Sequence, residues 1–406
     1  MRISGGHLVS LAGALAIACG PGEKTTPPPP HATPLEIASS GAAVAIAVGD
    51  IGVCGAQGDE ETAQLADSIL RADSAAKVPA QVITLGDNAY PSGLDVNFVR
   101  CFGSSWGDRR KRMMKVIRPS IGNHDYQSQR GAAYYRYFGS RAGSVFKGYY
   151  SYDIGDWHAI ALNSETIALG SDSERRDQSA WLANDLRSNT KLCTLAYFHR
   201  PAFSSGAHGS SPEMLGLWKM LADGGVDLVL NGHEHHYERF LPQNGSGVRD
   251  TLNGMEEIIA GTGGGPLTGI RSRLAENSAA RVQGHWGILI LTLGAGEYQT
   301  AFLGVDGHVW DPHGGKWHWR IRLKALKSLR SNRRRSHARS AASLASAAAF
   351  RAEARQGSPA KKRRGAATGF PAITSSPRII LRRARRTSRR MAVTSRLTRS
   401  GGIART

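Results

Sequence analysis

Nowhere does the chain hold the about 20 consecutive apolar residues that a bilayer-spanning helix needs. The longest such run near the start, Leu8 to Ala18, has 11 residues. A multi-pass membrane protein is therefore excluded. Cysteine is scarce, with four residues in 406. None stands in C-x-x-C spacing, which argues against a thiolate zinc site. No internal repeat is visible. Acidic residues are almost missing from positions 316–406, where 26 Lys and Arg face one acid, Glu353. Residues 1–315 hold 26 Lys and Arg against 31 acids. The net charge of +20 thus belongs to one end. The rest is mildly acidic, which argues against nucleic acid as the partner of the whole protein. What is present is globular: 41% hydrophobic and 21% charged residues. That excludes a wholly disordered chain.

The N-terminus reads as a targeting segment. Met1-Arg2 and the short apolar run fit a secretory signal, assigned to residues 1–18. Leu15-Ala16-Ile17-Ala18-Cys19 resembles a bacterial lipoprotein cleavage box, with its Leu one position early. Lipidation of Cys19 would attach the protein to the bacterial envelope; ordinary cleavage would release it. Either way the expectation is an exported protein, periplasmic or on the cell surface. Pro27 to Pro30 and Pro34 make residues 19–40 an extended linker. Export permits disulfides.

Residues 41–310 alternate short β-branched runs with amphipathic stretches. Ala43–Val48, Gln81–Leu85, Cys193–Phe198 and Val226–Leu230 read as buried strands. Glu61–Ala72 and Gln178–Leu186 read as helices. Tyr149–Ile154 with Trp157–Leu162, and Trp286–Leu293 with Tyr298–Leu303, read as strand pairs. The fold class is α/β, and in such sheets sites form at the carboxyl ends of strands.

Five polar clusters stand at strand ends: Gly49-Asp50-Ile51-Gly52, Gly86-Asp87-Asn88-Ala89-Tyr90, Gly122-Asn123-His124-Asp125, His199-Arg200-Pro201 and Asn231-Gly232-His233-Glu234-His235. Each alone is an ordinary turn, cap or loop. Together they combine carboxylate, phenol, amide and imidazole donors, a set suited to Zn, Fe or Mn rather than to a calcium cage. A bridging carboxylate would let two cations sit ~3.5–4 Å apart. Cys54 and Cys101 each follow one of these loops, and either pair or remain thiols.

The ordered set resembles the calcineurin-like metallophosphoesterases, and within them the purple acid phosphatase branch in a small, single-domain bacterial form. Tyr90 in Gly-Asp-x-x-Tyr carries the branch resemblance. Arg118-Pro-Ser-Ile-Gly-Asn-His-Asp-Tyr126, Phe203-Ser-Ser-Gly-Ala-His208 and Asn231-Gly-His-Glu-His-His-Tyr-Glu-Arg239 extend it. Ala196 departs from the Val common in the family, at a packing position. The resemblance implies a four-layer α/β/β/α sandwich and a dinuclear phosphatase. Asp50, Tyr90 and His235 would hold Fe(III). Asn123, His199 and His233 would hold a divalent Fe, Zn or Mn. Asp87 would bridge both. A metal-bound hydroxide would attack a phosphate monoester in line, with His124 and His208 binding phosphoryl oxygens or protonating the leaving group. The substrate would be a phosphorylated small molecule or another phosphoester. A phosphodiesterase would use the same site.

Two features stand aside from this set. Gly261-Thr262-Gly263-Gly264-Gly265 lacks the Lys-Ser/Thr ending of a nucleotide cradle and reads as a turn. Arg109-Arg110-Lys111-Arg112 reads as a solvated basic face. Residues 311–406 form a basic low-complexity tail rich in Arg, Ala, Ser and Gly. It is either a disordered arm for anionic polymers or lipid, or frameshifted text from a GC-rich gene. A surface lipoprotein binding anionic polymers through that tail is the rival reading from outside enzymology.

Overall fold

The computed structural model describes residues 42–316, apart from 109 and 110. The targeting segment, the linker and all but the first six residues of the expected tail lie outside the described residues. Thirteen strands are described: β1 (Ala43–Val48), β2 (Ala80–Leu85), β3 (Ile117–Ser120), β4 (Tyr150–Ile154), β5 (Trp157–Ala161), β6 (Cys193–Tyr197), β7 (Leu228–Asn231), β8 (Tyr237–Phe240), β9 (Glu256–Ala260), β10 (Ser278–Val282), β11 (Gly287–Gly294), β12 (Glu297–Gly304) and β13 (Val309–Lys316). They form a six-stranded sheet, β13-β12-β11-β1-β2-β3, and a seven-stranded sheet, β10-β8-β9-β7-β6-β5-β4.

The period-2 alternation of a strand sorts the core into layers. In β1, Val44, Ile46 and Val48 share a core with Ala63, Ala66 and Leu70 of the Gly58–Ala76 helix. The intervening Ala43, Ala45 and Ala47 share the core between the sheets with Trp157, Tyr197 and Phe302. On the outer face of the second sheet, Ile160, Ala196 and Val229 pack with Leu182, Trp218 and Leu221. Leu182 lies on the Asp172–Ser188 helix; Trp218 and Leu221 lie on the Leu215–Asp223 helix. The result is the four-layer α/β/β/α sandwich. β1, β2 and β3 are mutually parallel, and so are β5, β6, β7 and β9. The polar clusters follow the carboxyl ends of β1, β2, β3, β6 and β7.

Two elements differ from the sequence reading. β3 has no strand signal in its sequence; it has four residues, holds Pro119, and lies at a sheet edge, where proline is tolerated. β13 crosses the boundary placed at residue 310. Its Trp-Asp-Pro-His-Gly-Gly text has no apolar alternation, so ladder bonds to β12 and a partly buried ion pair define it instead. Asp311 accepts from the Tyr237 hydroxyl at 2.8 Å and from Arg239 Nε at 2.7 Å. The folded domain thus runs at least six residues further than expected. Cys54 and Cys101 form a disulfide, with Cα atoms 4.3 Å apart, tying the loop after β1 to the segment after Tyr90.

Asp73 is a cost inside the Gly58–Ala76 helix. Its carboxylate is buried and neither oxygen has a partner among the described residues. Burial raises its pKa to about 6 from 3.8. The folded state therefore holds the proton more tightly than the unfolded chain. The penalty is absent below about pH 4, grows as pH rises, and is complete above about pH 6. Asp73→Asn should stabilise the protein by on the order of 1 kcal/mol at neutral pH, with the gain vanishing near pH 4. Urea unfolding of parent and variant at the two pH values measures this.

Candidate metal centre

The turns at the strand ends are unusual in their backbone. Asp50 (φ 60°), Asp87 (φ 46°) and His233 (φ 70°) all occupy the left-handed region without being glycine. Such residues are uncommon and concentrate at functional sites. Cross-strand bonds hold them there: Asp50 N–H donates to Gly86 O at 3.0 Å, and Ile51 N–H to Asp87 O at 2.9 Å. Glycine is required where the loops touch. Gly86 has φ 87°, and a Cβ there would sit 2.6 Å from the His199 ring. A Cβ on Gly122 would fall 2.2 Å from Asp87 Oδ1.

These turns aim two groups of donors at each other. In the first, the Tyr90 hydroxyl lies 3.0 Å from Asp50 Oδ1 and 3.1 Å from His235 Nε2. His235 Nε2 is 3.2 Å from Asp50 Oδ1. In the second, His199 Nε2 lies 3.0 Å from Asn123 Oδ1 and 3.2 Å from His233 Nδ1. Asp87 Oδ2 belongs to both, at 3.2 Å from the Tyr90 hydroxyl and 3.2 Å from His199 Nε2. Asp50, Asp87 and His199 have ligand atoms within 4.8 Å of one another.

The donors fit cations, for a reason visible in the imidazoles. His199 Nδ1 is 2.8 Å from the Leu85 carbonyl, and His235 Nδ1 is 2.5 Å from the Pro266 carbonyl. A carbonyl only accepts, so both Nδ1 atoms carry the proton. Both Nε2 lone pairs then face oxygen acceptors: Asp87 and Asn123 for one, Asp50 for the other. That arrangement is repulsive unless a proton or a cation fills the gap. Burial opposes a proton on either ring, yet Asp87 and Asp50 raise His199 to about 10, and Asp50 raises His235 to about 9. Burial and His199 push His233 down to about 2, leaving a neutral imidazole. Burial, Asp50 and Asp87 push the Tyr90 phenol far up, so it stays protonated until a cation reverses the balance. Burial disfavours charge on Asp87, but His199 and His124 hold its carboxyl below the usual range. Carboxylate, phenol, amide and imidazole together match Fe, Zn or Mn.

His124 and His208 flank the donors. His124 N–H donates to Asp87 Oδ1 at 2.7 Å, and its Nδ1 is 2.5 Å from the Pro91 carbonyl. Its ring lies 4.5 Å from Tyr90. His208 is half-exposed, and its ring lies 4.8 Å from that of His233. The Ser-Gly-Ala-His-Gly text suggests a flexible loop, but the loop is tied down. Gly206 pairs with Ile270, and Arg271 N–H donates to Ser205 O at 2.9 Å.

Two buried acids escaped the sequence reading. Asp125 accepts from the backbone N–H groups of Asn88, Ala89 and Gly122 at 3.0, 3.2 and 3.1 Å. It thereby braces the loops that carry Asp87 and Asn123. Burial and the neighbouring Asp87 raise its carboxyl to about 7. Glu234 accepts from Gly209 N–H at 2.6 Å and has Oε2 3.4 Å from His208 Nδ1. Both stood in quoted motifs. The only signal was an acid embedded among predicted ligands.

Residues 44–237 match the family model described as calcineurin-like phosphoesterase. The matched segment carries all five polar clusters and spans just under half of the chain. Several of its relatives are acid or purple acid phosphatases. Human acid phosphatase type 7 is 29% identical over 234 residues, which covers 48% of this chain and 50% of that protein. Purple acid phosphatase 18 of Arabidopsis thaliana is 35% identical over 130 residues, covering 30% of this chain and 28% of that protein. The chain thus spans half or less of the length of these relatives. Among solved structures, purple acid phosphatase PPD1 from yellow lupin seeds shares the fold, with a TM-score of 0.57 at 19% identity, covering 70% of this chain and 55% of that one.

Gly86→Ala should drive the His199 ring from its place. Disturbing such a support typically costs 10–100-fold in metal affinity, so bound metal per chain should fall by at least about tenfold while circular dichroism stays unchanged. Elemental analysis of the purified variant measures it.

Proposed function

We propose that this chain is a metal-dependent phosphoric ester hydrolase of the acid phosphatase type, cleaving phosphate monoesters at a two-cation centre. The observation that carries the reading is the shared Asp87 Oδ2, with one donor group on each side of it. Asp50, Tyr90 and His235 would complete the first position. Asn123, His199 and His233 would complete the second. A phenolate with carboxylates favours the harder, more charged ion, so Fe(III) is assigned to the first position and a divalent Fe, Zn or Mn to the second. When bound, the cations neutralise phosphoryl charge and lower the pKa of the water that attacks phosphorus.

The chain's own residues do the rest. The Pro91 carbonyl holds the His124 Nδ1 proton, which turns Nε2 toward the donors, 3.9 Å from Asp87 Oδ2. From there His124 can bind a phosphoryl oxygen or pass a proton to the departing ester oxygen. His208 faces the same space from the His233 side. As water adds to phosphorus, the ester P–O bond breaks and the leaving oxygen takes that proton. The names of the relatives favour the monoester over a diester on the same donors. The filled donor set disfavours a surface lipoprotein whose only task is binding anionic polymers.

Export is part of the proposal. Residues 1–18 act as the signal, and Cys19 is the point of lipid attachment in the cell envelope. The Cys54–Cys101 disulfide supports an oxidising compartment.

Metal analysis and a visible spectrum of the purified protein test the reading. Two metals per chain including iron, and a broad visible band lost in Tyr90→Phe, are expected. His124→Ala should lower kcat on p-nitrophenyl phosphate by about 100-fold at unchanged metal content. Metals without the band would remove the ferric assignment. A folded protein that takes up no metal would overturn the whole reading.

A further inference from the structure

The loop that carries His208 is covered by a second loop whose side chains have no part in the donor set. Gly206 pairs with Ile270, Arg271 N–H donates to Ser205 O at 2.9 Å, and Ala275 N–H donates to Ser205 Oγ at 2.9 Å. This pairing places the exposed Arg271 side chain over the backbone on both sides of His208. Its Nη2 donates to the Ala207 carbonyl at 3.2 Å. It also lies over Gly209, where a Cβ would fall 2.1 Å from Nη2. Only glycine at 209 (φ 85°) gives the guanidinium that position.

Arg271 has no carboxylate partner among the described residues. A guanidinium has five N–H donors, and a single backbone carbonyl leaves most of them unused. By contrast Arg200, which follows His199, is engaged by Glu165 through Nε at 2.9 Å and Nη2 at 3.0 Å. Arg136 is likewise engaged by Asp95. An unpaired guanidinium fixed at the lip of a phosphate site is suited to a further anion, which it grips with a planar pair of N–H groups.

We propose that Arg271 forms a second anion subsite, and that the preferred substrates are phosphate monoesters whose leaving group carries another phosphate. The inference rests on the proposed phosphatase reading. The scissile phosphoryl group lies among the donors, between His124 and His208. The remainder of the molecule passes out beside the His208 loop, where Arg271 is held. A neutral leaving group gains nothing from this guanidinium. A second phosphate gains charge-assisted hydrogen bonds that persist through the reaction, so the benefit appears in KM rather than kcat.

The test compares a sugar bisphosphate with p-nitrophenyl phosphate on the metal-loaded full chain. Arg271→Ala should raise KM for the bisphosphate by about tenfold and leave both constants for p-nitrophenyl phosphate within about twofold. Arg271→Lys should recover part of the loss. Calorimetry with a hydrolysis-resistant bisphosphonate should show the same tenfold weakening, and wild-type binding should weaken with added salt. Equal effects on both substrates, or none on either, would overturn the subsite while leaving the phosphatase standing. If the loaded wild type hydrolyses neither compound, the reading of the site fails and the subsite falls with it.

Discussion

Everything at the carboxyl ends of these strands is arranged around positive charge held between buried carboxylates and imidazoles, as ring protons or as cations. Asp50 and Asp87 are fully buried, and two imidazole lone pairs face their oxygens. Buried carboxylates in contact with lone pairs are costly unless something positive lies between them. The backbone carbonyls of Leu85 and Pro266 prevent either ring from turning away, because each locks Nδ1 as the donor. The site therefore demands positive charge, which cations can supply in place of ring protons, and Asp87 Oδ2, shared by both donor groups, sets where two cations would meet.

The sandwich exists to meet that demand geometrically. Five strands, parallel within each of two sheets, deliver their carboxyl ends to one edge. Alanines at 43, 45 and 47 line the inter-sheet face of β1, opposite the aromatic side chains that fill the core. The loops then approach so closely that Gly86 and Gly122 leave no room for a side chain. Left-handed backbone at Asp50 and Asp87 is held by bonds between the two loops, and at His233 by its N–H, which donates to Asp50 Oδ2 at 2.8 Å.

Behind the donors stands a layer of buried acids that bind backbone N–H groups or the Arg200 guanidinium. Asp125 gathers three N–H groups from two loops. Glu257 accepts from Ala202 N–H at 2.8 Å and so steadies the segment after His199. Glu165 engages Arg200, the residue next to His199. Glu234 reaches across to the His208 loop. Burial pushes Glu257 well above the ordinary carboxyl range, as expected for an acid whose charge only two N–H groups offset. These side chains trade stability for a loop geometry that does not drift.

The residue types and order of the clusters from Asp50 to His235 carried the family resemblance, the donor chemistry and the layer order. Ligands of this kind must follow strands, and strands buried on both faces are apolar throughout, so β1, β2 and β6 were legible. Elements defined by partners rather than by composition were not. β13 is polar and glycine-rich, and only its ladder to β12 and the Asp311–Arg239 pair make it a strand. The Cys54–Cys101 bond remained one of two options until the fold set their separation. The second-layer roles of Asp125 and Glu234, the anchoring of His208 and the placement of Arg271 beside it depend on which loops meet. A sequence states what each residue can bind; which residue stands within 3 Å of it is decided by packing between segments far apart in the chain.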